Sequence, residues 1–205
     1  MIFSDVISPG TKLSLKTNYK ERMFWENKLL TYVKISPKEG CALEQWREQL
    51  KKYPTRYWSR IEIEEIVKEN KIDRNRFYEY SKNKYYQVIK RFYYSFVDYK
   101  NHSHIRLDYL WLHFRKDLKL LHREYISDDY IISLNRSIEL LQYNWERKVF
   151  LILSDGWVYE GFIDEIISVL AETDGIIEDF YIVTPEYNKL LVYCNDGDCI
   201  SIYEK

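Results

Sequence analysis

The sequence predicts an α+β protein in which a mainly helical N-terminal part precedes a mostly antiparallel sheet of five strands, in the order β-β-α-β-β-β. Apolar residues recur at helical spacing through much of the first 145 residues. After that point, four of the six glycines lie within 156–197, between short β-branched or aromatic runs. The 205 residues are 46% hydrophobic, which suits a single α+β domain over 1–205. We therefore expect a mainly helical part over 1–145 and a sheet part over 146–205.

Three helices are predicted near the start of the chain. Apolar residues at intervals of three and four predict helices over 18–33 and 42–53, and Pro54 ends the second one. Ser59 is followed three residues later by Glu62, which is the spacing of a capping box. Ser59 is therefore expected to be the N-cap of a third helix.

A tyrosine-rich segment, YEYSKNKYYQVIKRFYYSFVDY over 78–99, predicts a helix that is packed on two sides. One apolar seam recurs along it at intervals of four and three residues: Tyr85, Ile89, Phe92, Phe96 and Tyr99. Such rings can also stack on RNA bases, which is the alternative interpretation of this segment. Core packing explains nearly all of the rings without a nucleic acid, so we expect the seam to be structural.

The middle of the chain is less clearly patterned. The stretch 106–115 (RLDYLWLHFR) fits a strand and a helix equally well. Ser127 is a candidate N-cap for a helix that ends near residue 142. In the sheet part, the segment FIDEIISVLAET predicts a helix between the second and third strands. The five predicted strands span 148–153, 157–161, 179–184, 189–194 and 199–203.

The segment CNDGDC (194–199) looks like a metal loop, but its spacing fits neither of two common sites. With Gly197 as position six of a calcium loop, position one falls on a valine and position twelve on a tyrosine. A zinc site lacks its second pair of ligands. Asp196 and Gly197 between two apolar runs predict instead a two-residue type I′ hairpin. In that register Cys194 faces Cys199 on the side away from the core, and we expect both to be thiols.

Composition argues against several classes of protein. No apolar run approaches the roughly 20 residues of a membrane span, so no membrane partner is expected. The first residues, MIFSD, do not have the charged-then-apolar pattern of a signal peptide. Three cysteines in 205 residues are typical of a reducing compartment. We therefore expect a cytoplasmic protein.

The sequence has no recognisable catalytic or cofactor motif. It contains no G-x-S-x-G elbow, P-loop, dinucleotide-binding glycine turn or H-E-x-x-H zinc motif. His102 and His104 have no accompanying set of metal ligands, so a solvated loop is the better interpretation. We expect no catalytic residues, no metal and no cofactor. Catalytic residues can be scattered along a chain, which leaves an enzyme as a third alternative that nothing here supports.

Charge is strongly segregated along a chain whose net charge is −1. Residues 1–125 carry 26 Lys and Arg against 16 Asp and Glu, whereas residues 126–205 carry 5 against 16. Such segregation can pull the two parts together, or it can present an acidic face to a basic partner. The candidates for partner binding surround the predicted strand–helix–strand unit: Asp155, Glu160, Asp164, Glu165, Asp174, Glu178 and Asp179.

The last third of the chain, ERKVFLILSDGWVYEGFIDEIISVL followed by EDFYIVTPEYNKLLVYCNDGDCISI, resembles a family of small bacterial proteins. In that family an aromatic-rich helical half precedes two strands, a helix and a closing hairpin. Its members resemble immunity proteins of polymorphic-toxin and contact-dependent inhibition systems. The resemblance implies a non-enzymatic protein that binds and neutralises a cognate toxin domain, with a nuclease as one expected type. The alternative, ranked second, is a nucleic-acid-associated protein that uses the basic N-terminal helices.

Overall fold

The computed structural model of the chain describes residues 58–98, 107, 109–126, 129–173 and 177–205. The helices in these ranges are α1 (Trp58–Glu69), α2 (Tyr85–Phe96), α3 (Tyr130–Leu140) and α4 (Ile163–Glu172). The strands are β1 (Phe77–Glu79), β2 (Lys119–Tyr125), β3 (Val149–Leu153), β4 (Val158–Gly161), β5 (Asp179–Val183), β6 (Lys189–Cys194) and β7 (Cys199–Glu204). No helix in these ranges combines the length and the apolar composition that crossing a bilayer requires. The predicted helices over 18–33 and 42–53 lie outside them.

The seven strands form one antiparallel sheet in the order β1-β4-β3-β5-β6-β7-β2. The prediction of an α+β fold with a mostly antiparallel sheet is therefore confirmed, and the five predicted strands correspond to β3 through β7. The predicted strand count is wrong, because β1 and β2 come from the part before residue 146 and form the two edges. Of the part before residue 146, the described residues therefore contain two strands in addition to the helices that the sequence indicates.

The two unpredicted strands lack the usual signals of a strand. β1 is three residues long. β2, with the sequence KLLHREY, is exposed at five of its seven positions, so it shows no clean alternation of buried and exposed residues. Its pairing with β7 shifts register between Leu120 and His122, which makes a β-bulge. Both strands are held by partners that are distant in sequence rather than by local patterning.

Helices cover both faces of the sheet. On one face, Phe92 of α2 packs against Tyr181 of β5, with ring centroids 5.2 Å apart. The preceding residue, Phe180, points to the other face, where it stacks on Tyr193, and Tyr193 contacts Tyr130 of α3. α4 contacts both α1 and α3 and lies on this second face. Because both faces are covered, β3 and β5 are buried along their whole length.

The tyrosine-rich helix packs as a core element. The buried residues of α2 are Tyr85, Val88, Phe92, Ser95 and Phe96. The helix ends where Val97 becomes extended and forms an isolated bridge with Phe114. Tyr99, the last residue of the predicted seam, lies outside the described ranges. The stretch 106–115 is neither strand nor α-helix where it is described, since Leu110–His113 is a 3-10 turn.

The predicted N-caps differ from the structure. Ser59 lies within α1, and its hydroxyl donates to the carboxylate of Asp155 instead of capping the helix. The N-cap of α3 is Asp129, whose carboxylate accepts the backbone N–H of Ile131 at 2.8 Å. Ser127, the residue predicted for this role, lies outside the described ranges. An aspartate is an equally good cap, so composition alone did not distinguish the two.

The β6–β7 hairpin has the predicted register but a different turn. Cys194 lies directly opposite Cys199. The N–H of Asp198 donates to the carbonyl of Asn195 at 3.1 Å, and the residue with positive φ is Asp198 (41°). A type I′ turn would need positive φ at both central residues. The two cysteines are unbridged, and both are buried because their face of the hairpin is covered as well.

Candidate partner-binding surface

One end of the sheet gathers acidic segments that contain no Lys or Arg. The β3–β4 turn (154–157) reaches the entry to β5, where the N–H of Ser154 donates to the carbonyl of Asp179 at 3.0 Å. The β6–β7 turn reaches the segment after β2, where the N–H of Ile126 donates to the carbonyl of Asp198 at 2.7 Å. We call this surface the acidic end; its acids are Asp129, Asp155, Glu178, Asp179, Asp196 and Asp198.

Asp179 organises the acidic end from within. Its side chain is buried, at 3% relative exposure. One carboxylate oxygen accepts the backbone N–H of Tyr109 at 2.9 Å, and the other accepts that of Asn195 at 3.2 Å. A buried carboxylate is stable only when such donors replace its hydration shell. Asp179 therefore ties three chain segments together and does not itself offer a charge to a partner.

Other carboxylates of the acidic end face solvent. Glu178, Asp196 and Asp198 are exposed. Asp129 is exposed as well, but it also caps α3. Asp155 is half-buried and accepts a hydrogen bond from Ser59. The exposed carboxylates are therefore concentrated at the entry to β5 and at the β6–β7 turn.

Exposed aromatic side chains lie beside these acids. Tyr125, opposite Cys199 at the end of β2, is 73% exposed. Trp58 precedes the serine that binds Asp155 and is 68% exposed. Tyr109, whose N–H binds Asp179, is exposed too. Exposed Tyr and Trp next to carboxylates give large contact area together with charge, a combination common in protein interfaces.

The seven acids predicted from the sequence do not form one surface. Asp155, Glu178 and Asp179 lie at the acidic end. Glu160 lies within β4 toward the opposite end, and Asp164 and Glu165 lie beyond it, at the start of α4. Asp174 lies outside the described residues.

The acids at the opposite end are largely engaged within the chain. Glu160 accepts a hydrogen bond from the hydroxyl of Tyr78, and Glu165 forms an ion pair with Arg76. Burial, together with this carboxylate, raises the pKa of Tyr78, so the phenol keeps its proton and donates it. Asp164 is exposed in the first turn of α4. At this end of the sheet, the basic and acidic parts of the chain therefore attract each other through the ion pair of Arg76 with Glu165.

Three acids of this surface were not among the predicted site residues: Asp129, Asp196 and Asp198. For Asp196 and Asp198 a signal is present in the sequence, because the NDGD turn holds two acids and no basic residue. The sequence pattern of this turn indicates its backbone geometry but not its role in a surface. What the sequence did not reveal is the order of the strands, which brings this turn next to the entry to β5.

Among the described residues, two tyrosines whose pKa values are strongly raised have structural roles. Burial raises the pKa of Tyr85 and of Tyr159 well above the ordinary range, and the carboxylate of Glu79 that accepts from Tyr85 raises it further there. Both phenols are therefore neutral near pH 7. Within the described part of the chain, no three His, Cys, Asp or Glu side chains are placed to hold a metal ion. The arrangement provides charge and contact area for a partner.

Comparison with known proteins adds a family but no activity. A family model described as a family of unknown function (DUF6756) matches residues 55–205. No curated protein and no solved structure matches the sequence. The matched range includes every helix and strand given above, and with them the acidic end.

Proposed function

We propose that this chain, which belongs to the DUF6756 family of unknown function, is a non-enzymatic immunity protein. It neutralises a bacterial toxin domain by binding it directly with the acidic end of the sheet. The observation that carries the proposal is that exposed carboxylates, on turns without Lys or Arg, meet exposed aromatic rings of the neighbouring elements α1 and β2. The resemblance of the last third of the chain to immunity proteins supports the same function.

The acidic end has the dimensions of a protein interface. It extends from the β3–β4 turn to the end of β2, across six neighbouring strands. At a strand spacing of about 4.8 Å this is about 24 Å. A standard interface buries about 800 Å² on each partner, which is a patch of similar width. One globular toxin domain would therefore cover it.

Charge decides which class of toxin fits best. A nuclease binds a polyanion, so its active site presents Lys and Arg to the phosphates. Carboxylates at Glu178, Asp196 and Asp198 would approach such a site favourably and would occupy the space of the phosphates. The rings of Tyr125 and Trp58 would supply the contact area that charged residues lack.

The nucleic-acid alternative gains no support from the described residues. Arg60, Arg74 and Arg76 each form an ion pair with a glutamate of the same chain. Arginines engaged in this way do not form the open basic stripe that binding phosphates requires. The acidic end would repel a polyanion in addition.

The test is the rate of association with the cognate toxin domain. A double variant, Glu178→Lys with Asp196→Lys, reverses two exposed charges at the acidic end and leaves Asp198 in place, whose positive φ suits aspartate. We expect association at low salt to slow by about tenfold or more, and its dependence on salt to weaken. Stopped-flow fluorescence measures both.

The matched control is Asp164→Lys, which makes the same charge change at an exposed acid at the opposite end of the sheet. Its association rate should stay within about twofold of the wild type, because charges beyond a Debye length of about 10 Å are screened. Equal rates for the wild type and the double variant at every salt concentration would exclude the acidic end from the interface. Thermal melts of all three proteins show that each is folded.

A further inference from the structure

A cavity of about 150 Å³ lies on the face of the sheet that α2 also covers, over strands β6, β7 and β2. Its walls include the rings of Trp111, Tyr125 and Tyr203 and the thiols of Cys194 and Cys199. Tyr125 is 73% exposed, so the cavity opens to solvent on that side. Cavities of about this volume accommodate one benzene-sized molecule. The walls therefore suit a small planar apolar body.

Arg123 gives the cavity a positive charge. Its Nε donates to the hydroxyl of Ser201 at 3.0 Å, and its Nη2 donates to that of Tyr203 at 2.8 Å. In the described part of the chain no carboxylate forms an ion pair with this guanidinium. A guanidinium has five N–H donors, and these two bonds use two of them. The remaining donors are available to a planar oxyanion, which the guanidinium fork matches in geometry.

Trp111 adds a second donor. Its indole Nε1 is buried and, among the described residues, has no hydrogen-bond acceptor. A buried donor without an acceptor costs free energy, and a bound acceptor would remove that cost. Trp111 and Arg123 both line the cavity, and a rotation of the indole ring would turn its buried N–H toward a ligand held by Arg123.

From these observations we propose that the cavity is a binding site for a small aromatic carboxylate. The carboxylate is held by Arg123 and the indole N–H of Trp111, and the ring lies among Trp111, Tyr125 and Tyr203. Asp196 and Asp198 flank Gly197 of the cavity wall and are exposed at its rim, so their charges oppose the binding of an anion at low ionic strength, and added salt reduces that repulsion. The cavity shares Tyr125 and the β6–β7 turn with the acidic end, but the test of the cavity needs no toxin.

The probe is sodium benzoate, titrated at constant ionic strength into the ¹⁵N-labelled full chain. The backbone amides of Gly197, Cys199 and Ser201 report on the cavity wall. We expect saturable shifts of these amides for benzoate. The neutral isostere benzamide should bind about tenfold more weakly or worse, because it cannot form a charged bond to Arg123. Acetate should also bind more weakly, because it lacks the ring.

Two variants separate the two donors. Arg123→Gln should weaken benzoate binding by about tenfold or more, and Trp111→Phe, which keeps a ring but removes the N–H, should weaken it by a smaller factor. The control is Arg91→Gln, which removes an arginine that packs on Tyr187 outside the cavity and should leave binding unchanged. Circular dichroism confirms that each variant folds.

Shifts that do not saturate, or equal dissociation constants for the wild type and Arg123→Gln, would overturn the proposal. Acetate binding as tightly as benzoate would overturn the aromatic part of the assignment.

Discussion

Phe77 lies directly opposite Gly161 across the β1–β4 pair, so close that a Cβ at position 161 would be 2.7 Å from ring carbon Cδ2. The ring cannot easily move away, because its other neighbour is Tyr159, stacked on it at 5.1 Å. The same Cβ would lie 3.0 Å from the carbonyl oxygen of Arg76, which is backbone. Glycine at 161 is therefore what allows the edge strand to pack against β4.

Gly161→Ala should destabilise the protein by about 1–3 kcal/mol, the usual cost of overpacking a core. Urea unfolding followed by circular dichroism measures the loss. Phe77→Leu in the Gly161→Ala background should recover part of it, because the smaller side chain leaves room for the methyl group. An alanine variant as stable as the wild type would show that β1 is not packed as described.

Phe92→Ala should destabilise the fold by about 3–5 kcal/mol, since the ring is fully buried between α2 and Tyr181. The matched control is Tyr94→Ala on the same helix, where the ring is 51% exposed. Its effect should be within about 0.5 kcal/mol. If Phe92→Ala melted normally but lost partner binding, the seam would be an interface and not part of the core.

Asp179→Ala should destabilise the acidic end by about 1–3 kcal/mol for each backbone donor left without an acceptor. The donors are the N–H groups of Tyr109 and Asn195. Asp179→Asn keeps one acceptor oxygen and should lose less. Amide hydrogen exchange at Asn195 reports the local effect, and unchanged protection there in the alanine variant would contradict the role given to Asp179.

The thiol of Cys194 should react slowly with alkylating reagents. The pKa of Cys194 is raised to about 12. Burial is the larger cause, and the negative charge of Asp179 is the second. The thiolate is the reactive form, so the rate of alkylation should still rise between pH 8 and pH 10 without levelling off. A Cys41→Ser, Cys199→Ala variant isolates this thiol, and the same variant unfolded in urea is the control. There the rate should level off above the ordinary thiol pKa of about 8.5.

Local patterns predicted the elements of the sheet part closely. The strand predicted over 189–194 is β6 to the residue. The register of its hairpin was predicted by placing Asp196 and Gly197 at the centre of the turn, and it is confirmed although the turn type differs. The apolar spacing around Phe92 likewise predicted a core helix correctly. These features depend on neighbours within a few residues, which is the information that a single sequence contains.

The candidate site could be predicted only in part, because strand order is not local. Glu178 and Asp179 were selected for their position in the sequence, and they do lie beside the β6–β7 turn. Glu160 and Glu165 were selected by the same criterion, yet they lie at the opposite end of the sheet and bind Tyr78 and Arg76. Antiparallel strands alternate the ends at which successive loops lie, and a count of charges along the chain cannot reproduce that alternation.

The two edge strands also imply an order of events during folding. Tyr78 in β1 meets Glu160 across 82 residues, and Arg123 in β2 meets Ser201 across 78. Closing such long loops costs entropy before any pairing is gained, whereas the hairpins among β3 to β7 close short ones. We therefore expect the five central strands to assemble first and both borders to join late. Pulsed hydrogen exchange would show this as early protection of β5 and β6 amides, and early protection of β2 would contradict it. Until β1 and β2 join, β4 and β7 would be unpaired edge strands of the sheet. This transient species is therefore the one most prone to aggregate.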